Sequence, residues 1–418
     1  MLNKDGIREL AYVVKIDAIE PIVGSDNCEA AVIGGWRVMV RKEVFAAGDY
    51  AVYFEIDSKV PEIKCFEFLA PKHYKIKTQK YTFGGKGNFV SQGLVMHFQD
   101  FKDENEEMFK WAKDLWRRGI DGEDITNTPL TQEIGVVYSV VEDNKRKANS
   151  DKYKKMAQRH AKLFKNSKFI QWLYRRNWGK KILFFFLGSK KDARASFWPD
   201  WVRKTDEERV QNLPQLFPPD DQTWIVTEKI DGSSTTFTMK RVKKTFKDTF
   251  EFYVCSRNVC FDKPEKEERC FYDTNIYTQM AKKYDIEFLM QDMLENHPNW
   301  EFLTIQGETY GAGVQKRDYG MQDIDFAAFN YIYGTKEGEV KRLNPAEMAF
   351  ELGKYAIPCV PILDTEFKLP QTIDEMVAYA DGNSQIDGEY REGVVLRSAD
   401  GVNSFKAVSN EYLLKKGE

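Results

Sequence analysis

The stretch Thr227-Glu228-Lys229-Ile230-Asp231-Gly232-Ser233-Ser234 is the one around which the chain is organised. Ahead of it, Trp224-Ile225-Val226-Thr227 is apolar and β-branched, the composition of a short strand. A lysine follows, then an acid two residues on, then a glycine that lets the backbone turn tightly. Ser233 to Thr236 lead into a second strand-like run that continues to Lys240. A lysine at a strand end beside a turn can present its amine into a pocket. A hairpin with a solvated lysine has the same local sequence, so the tetrapeptide alone does not separate the two.

Composition bounds the rest. With 418 residues, two or three domains are expected, and 42% hydrophobic with 14% aromatic content supports real cores. The net charge of −3 excludes a uniform basic field but leaves room for local segregation. Met1 to Leu10 is polar, with no sign of a signal peptide, and the longest apolar run, Ile182 to Gly188, is too short to span a bilayer. The six cysteines form no C-x-x-C pair, and histidines at ligand spacing are missing, which disfavours zinc. The expectation is a cytoplasmic protein with reduced thiols and no membrane partner.

From Ala11 to about His97 the chain reads as short strands: Ala11–Ile16, Ala31–Ile33, Trp36–Val40, Tyr50–Ile56, Tyr74–Lys80 and Ser91–His97. Their close spacing predicts a small barrel, an OB-fold being the natural candidate. Gly84 to Asn88 lacks P-loop spacing and reads as a hairpin tip. A helical, charged stretch follows Phe101. From Lys145 to Lys181 fourteen lysines and arginines face a single acid, Asp151, with Tyr153, Phe164, Phe169, Trp172, Tyr174 and Trp178 interleaved. Such a segment is either a phosphate-tracking surface or a solvated helix whose aromatics pack on a neighbouring domain.

From about Phe197 the chain is mixed. Strand-like runs at Trp224–Thr227, Thr235–Met239, Phe250–Cys255, Phe302–Gln306, Phe326–Tyr333 and Gly393–Arg397 surround helical stretches at Tyr277–Asn296, Pro345–Lys354 and Ile373–Ala380. Without regular β-α-β alternation, this predicts an α+β fold on antiparallel sheets. The expected division is an OB-fold domain over 1–140, a basic aromatic helical segment over 141–196 and the lysine-bearing domain over 197–418.

Five clusters follow Lys229 in order: Ser256-Arg257-Asn258, Gln306-Gly307-Glu308 at a strand end, Asp325 to Asn330 with Phe326 and Phe329, Arg391 to Arg397 with Glu392, and Asn403 to Val408 with Lys406. Each alone has a structural explanation. Together they resemble the ordered motifs of the covalent nucleotidyltransferases, a superfamily of ATP-dependent ligases and capping enzymes. The barrel placed first, Lys204 to Asn212 and Val90 to Leu94 resemble, more narrowly, the RNA-ligase branch with an amino-terminal OB domain. The basic segment falls outside that resemblance. In related enzymes a second lysine often stands two places after the motif V lysine, where this chain has Val408.

The residue types suit nucleotidyl transfer. A lysine at its ordinary pKa is about one part in 2,500 neutral at pH 7, so a nucleophilic amine needs cationic neighbours, a metal or burial. Lys406 and a divalent metal would supply such a field, and Asp231 and Glu392 are hard oxygen ligands suited to Mg²⁺ or Mn²⁺. The resemblance implies an ATP-dependent RNA ligase in which Lys229, Asp231, Glu392 and Lys406 are catalytic. Glu228, Lys229, Arg257, Glu308, Phe329 and Lys406 would bind the nucleotide, with Glu308 on the ribose and Phe329 rather than Phe326 stacked on adenine. It further implies a monomer acting in RNA repair on a nicked duplex or RNA/DNA hybrid. The alternatives are a DNA ligase, a guanylyltransferase or an inactive RNA-binding relative.

Overall fold

The computed structural model describes residues 8–83, 88–102, 104, 106–138, 160, 163, 167–187, 198–202, 206–243, 248–257, 260–261, 276–315 and 317–416. In the N-terminal part, Ala11–Lys15, Tyr50–Phe54 and Leu94–Met96 form one antiparallel sheet, and Ala18–Pro21, Cys28–Ile33 and Trp36–Arg41 form another. Alternation along these strands sends Tyr12, Val14, Trp36, Val38 and Tyr53 into a shared core. The opposite face, with Val13, Val52 and Phe54, is covered by the 3₁₀ helix Lys64–Lys72 and the helix Glu106–Ile120. The strand expected over Tyr74–Lys80 begins later, at Gln79–Thr82, because Tyr74 takes a left-handed turn. The hairpin tip at Gly84 to Gly87 lies outside the described residues.

The C-terminal part is built on two sheets. A six-stranded antiparallel sheet runs in the order Cys260–Phe261, Thr249–Ser256, Ser233–Val242, Trp300–Gly311, Ile324–Thr335, Val340–Arg342. Helices Ile276–Lys283 and Ile286–Asn296 bury Met280, Met290, Met293 and Leu294 against it. The single helix expected from Tyr277 to Asn296 is split because Asp285 adopts a left-handed φ of 48°. The second sheet orders Glu208–Arg209, Ser404–Val408, Gly393–Ser398, Trp224–Lys229 and Ile362–Phe367, antiparallel except where Glu208–Arg209 joins Ser404–Val408 in parallel. Its core holds Trp224, Leu396 and Phe405, with Met376 and Ala380 of the helix Ile373–Ala380. Each large apolar side chain buried this way contributes about 1.5–3 kcal/mol.

The two parts are joined by buried polar contacts. Glu55, fully buried in the N-terminal part, accepts hydrogen bonds from the Arg8 guanidinium (3.1 Å) and the Asn212 amide (3.0 Å), and Arg209 pairs with Asp57 at 3.1 Å. Val408 and Leu413 pack into the N-terminal core.

Of the basic aromatic segment, two short helices are described, Lys168–Tyr174 and Asn177–Leu187. They pack on each other through Leu173 and Leu183, leaving Phe169, Trp172, Trp178 and Phe185 exposed. The Arg176 guanidinium lies 3.8 Å over the Trp172 ring. Lys145, Arg146, Lys147, Lys152, Lys154, Lys155, Arg159, Lys162 and Lys165 lie outside the described residues. Among the described residues no helix is long and apolar enough to cross a membrane.

Candidate active site

Lys229 ends the strand Trp224–Lys229 of the five-stranded sheet, and Ser233 begins the strand Ser233–Val242 of the six-stranded sheet. Ile230, Asp231 and Gly232 are therefore the crossing between two sheets rather than a hairpin tip. Gly232 is required there for close approach, since a Cβ would collide with the Thr309 carbonyl oxygen. Its φ makes no left-handed demand.

At this crossing the Lys229 amine donates to Glu392 Oε1 at 2.6 Å. The register explains the meeting: Lys229 pairs with Gly393, so Glu392 arrives at the end of the neighbouring strand. Burial pushes the Lys229 ammonium toward its neutral form. Glu392, Glu308 and Asp231 outweigh that and hold its pKa above the ordinary lysine value. Burial pushes the half-buried Glu308 carboxyl up to about 8, opposed by Lys229 and reinforced by Glu392 and Asp231. Asp231 is itself buried, and its backbone N–H donates to the Tyr319 hydroxyl at 2.7 Å.

Glu308 lies inside the long strand Trp300–Gly311, not at a strand end, just past an irregularity. Gln306 pairs with Asn330 and Gly307 with Ala328, leaving Phe329 as an extra residue on its strand. Such a bulge re-aims the side chain it carries. Phe326 is fully buried in the sheet–helix core, whereas Phe329 is half-buried, and its carbonyl oxygen accepts from Arg397 at 3.1 Å. Only Gly fits at 307, where a Cβ would strike the Phe326 ring.

Lys406 shares the sheet face of Lys229. It pairs with Val395, which pairs with Thr227, two residues before Lys229. Its amine, however, meets Asp206 at 2.8 Å. Arg257, placed after the strand Thr249–Ser256, meets the same carboxylate at 3.0 Å, and Arg8 approaches it at 3.7 Å. Burial pushes the Lys406 ammonium down to about 8, opposed by Asp206 and reinforced by Arg8 and Arg209. Burial of Asp206 is outweighed by Lys406, Arg257 and Arg8, which hold its carboxyl well below the usual range. Arg257 also pulls on Glu308, so the two clusters adjoin. The expected cationic field of Lys406 on Lys229 is thus offset by Asp206. Asp206 absorbs that charge, and Lys229 sits among acids.

Glu228 is not brought to the cluster. Strand alternation turns its buried carboxylate to the other face, where it accepts from the Gln385 N–H at 2.8 Å. Val408 faces the N-terminal core, which accounts for an apolar residue at that position. Asp206, Glu207 and Arg8 carry no site signal of their own in the sequence. Asp206 and Glu207 do fall within the Lys204–Asn212 stretch that carried the resemblance.

Among the described residues no three acidic, histidine or cysteine side chains converge to hold a metal by themselves. Glu392 Oε2 is buried without a hydrogen-bond partner, and Asp231 is close enough to act on Lys229 and Glu308. Two such carboxylates fit Mg²⁺ or Mn²⁺, which take one or two protein oxygens and complete their shell with phosphates and water.

The chain thus combines an N-terminal pair of small sheets with an α+β part in which a lysine stands at the crossing of two sheets. Residues 222–408 match the RNA ligase family and residues 10–97 match an OB-fold domain. Among solved structures, Naegleria gruberi RNA ligase with pyrophosphate is 24% identical, with a TM-score of 0.68 over 99% of this chain and 100% of that one. A mutant of the same ligase with ATP and Mn is 24% identical, with a TM-score of 0.67 over 97% of this chain and 99% of that one. A further mutant, with AMP and Mn, is 24% identical, with a TM-score of 0.66 over 98% and 99%. At this identity the likeness establishes the fold. No curated protein matches the chain.

Proposed function

We propose that this protein is an ATP-dependent RNA ligase that works through a lysyl-adenylate on Lys229. The observation that carries the reading is the position of Lys229 at the crossing of the two sheets, 2.6 Å from Glu392 with Asp231 and Glu308 beside it. In the first step the Lys229 amine forms a bond to the α-phosphorus of ATP, and pyrophosphate leaves. In the second, a 5′-phosphate of RNA takes the AMP and frees the lysine. In the third, a 3′-hydroxyl attacks that adenylated end, forming a phosphodiester and releasing AMP.

Glu392 accepts a hydrogen bond from the Lys229 ammonium and so keeps the proton on the amine. A bound Mg²⁺ or Mn²⁺ would compete for that carboxylate, favouring the free amine, and offset charge on the transferring phosphorus. Glu308 can accept from ribose hydroxyls. Phe329, re-aimed by its bulge, offers a ring to adenine. Lys406 and Arg257 offer N–H donors to phosphate oxygens.

The finer reading is a monomer that seals nicks with RNA on the 3′-hydroxyl side, since the 2′-hydroxyl is what separates RNA from DNA there. The test is labelled ATP with Mg²⁺ or Mn²⁺, followed by sealing of matched nicks. The protein should take label, seal a nick whose 3′-hydroxyl end is RNA, and seal an all-DNA nick poorly. Equal rates on both would make it a DNA ligase, and label from GTP in place of ATP a guanylyltransferase.

A further inference from the structure

Asp206 belongs to no site identified so far, yet its carboxylate joins three parts of the molecule. Lys406 reaches it from the five-stranded sheet, Arg257 from the six-stranded sheet and Arg8 from the N-terminal part, at 2.8, 3.0 and 3.7 Å. Its two oxygens are divided: Oδ1 takes Lys406, and Oδ2 takes Arg257. An ammonium has three N–H donors and a guanidinium five, so each cation keeps donors beyond the one Asp206 uses. Without this acid, two cations on opposing sheets would repel each other, and nothing else described on the Lys406 amine would fix its direction. The next residue, Glu207, repeats the pattern toward the base end of the site. It accepts from the Ser404 hydroxyl and approaches Arg342 (3.7 Å) and Arg397 (3.6 Å), the arginine that holds the Phe329 carbonyl.

We propose that Asp206 is a positioning residue for nucleotidyl transfer, aiming Lys406 and Arg257 from the two sheets at one shared phosphate site. The proposal rests on the ligase reading for the identity of the anion, a polyphosphate. The charged groups around Lys406 are Asp206, Arg8 and Arg209, and Arg209 is itself paired with Asp57. Asp206 is the acid that the Lys406 amine donates to, and it works against the effect of burial and of the two arginines. Removing it takes away the acid that offsets burial, Arg8 and Arg209 at the Lys406 amine, so Lys406 loses its proton at lower pH.

The experiment is pyrophosphate titration and the pH profile of adenylation on the full chain, wild type beside Asp206→Asn and Asp206→Glu. Asp206→Asn should weaken pyrophosphate binding roughly tenfold at pH 7, raise the KM for ATP more than it lowers kcat, and move the alkaline limb of adenylation to lower pH. Asp206→Glu, which restores the charge, should recover the limb and most of the affinity. Should the Asn variant fail to fold, Asp206→Ser serves in its place. An unchanged affinity and limb, with only a lower melting temperature, would mean a merely structural ion pair and overturn the proposal. Tighter pyrophosphate binding would overturn it too, by making Asp206 a competitor for the site. A wild-type protein that takes no label from ATP would instead sink the ligase reading, while the pyrophosphate titration would still report on Asp206.

Discussion

Lys229 and Lys406 stand on one face of the same sheet, and each amine meets one carboxylate, at 2.6 and 2.8 Å. Their surroundings nonetheless push them in opposite directions. Around Lys229 three acids gather, and its pKa rises. Around Lys406 burial acts first, one acid opposes it, two further cations reinforce it, and its pKa falls to about 8. A single ion pair therefore does not decide the charge of a buried amine; the balance of all nearby groups does. Of the two, Lys406 is the amine that gives up its proton more readily. Lys229 is nevertheless the proposed nucleophile, because a divalent ion would neutralise the acids around it. Lys406, held among cations, is suited to receive phosphate.

Breaking either lysine should separate the two roles. Lys229→Ala should lose adenylation by roughly 10³-fold or more and still seal a pre-adenylated 5′ end, because the first step has been bypassed. Lys406→Ala should lose adenylation on the order of 10²-fold and weaken pyrophosphate binding as well. Isothermal titration would expose the contrast, since Lys229→Ala should leave pyrophosphate affinity nearly intact. Asp231→Ala and Glu392→Ala come next, each lowering adenylation roughly 10²-fold, with partial recovery as Mn²⁺ is raised. Wild-type rates in both would remove the metal assignment.

Much of this arrangement was legible in the sequence. The ordered motifs grouped Glu392 and Glu308 with Lys229, but the pairing of Lys229 with Gly393 that brings Glu392 to the amine was not readable from residue types. The resemblance favoured Phe329 over Phe326, but the bulge that leaves Phe329 unpaired on its strand has no trace in residue types. The role of Asp206 was not legible for a different reason. Its partners Arg257 and Lys406 are 51 and 200 residues away, and an acid in a charged run looks solvated. Glu228, which the resemblance counts among the nucleotide-binding residues, has its carboxylate on the face opposite Lys229, where it accepts from the Gln385 N–H.

Glu308 sharpens the comparison through stability. Its folded pKa of about 8 lies above the ordinary 4.5, so the folded protein retains a proton that the unfolded chain releases. That contribution is fully present below about pH 4.5 and is lost as pH rises through 8. Glu308→Gln should thus melt higher than wild type at pH 9, by roughly 2–5 °C, with a smaller gap at pH 6. Thermal melts at the two pH values read the sign, and a gap that closes toward pH 9 would contradict the burial account.

The smallest effect on adenylation should come from cations outside both lysine sites. Neutralising Arg175, Arg176, Lys180 and Lys181 should leave labelling by free ATP nearly unchanged. If these side chains contact RNA phosphates, the salt slope of binding should shrink by about 0.7 per lost contact on single strands. An unchanged slope, with Trp172→Ala or Trp178→Ala lowering the melting temperature, would make the helical pair structural.

The most direct test is to ask which amine carries the AMP. Wild-type protein is incubated with α-labelled ATP and Mg²⁺, digested, and the labelled peptide sequenced. The account predicts an acid-labile, alkali-stable phosphoramide on Lys229. AMP on Lys406, the amine with the lowered pKa, would contradict it.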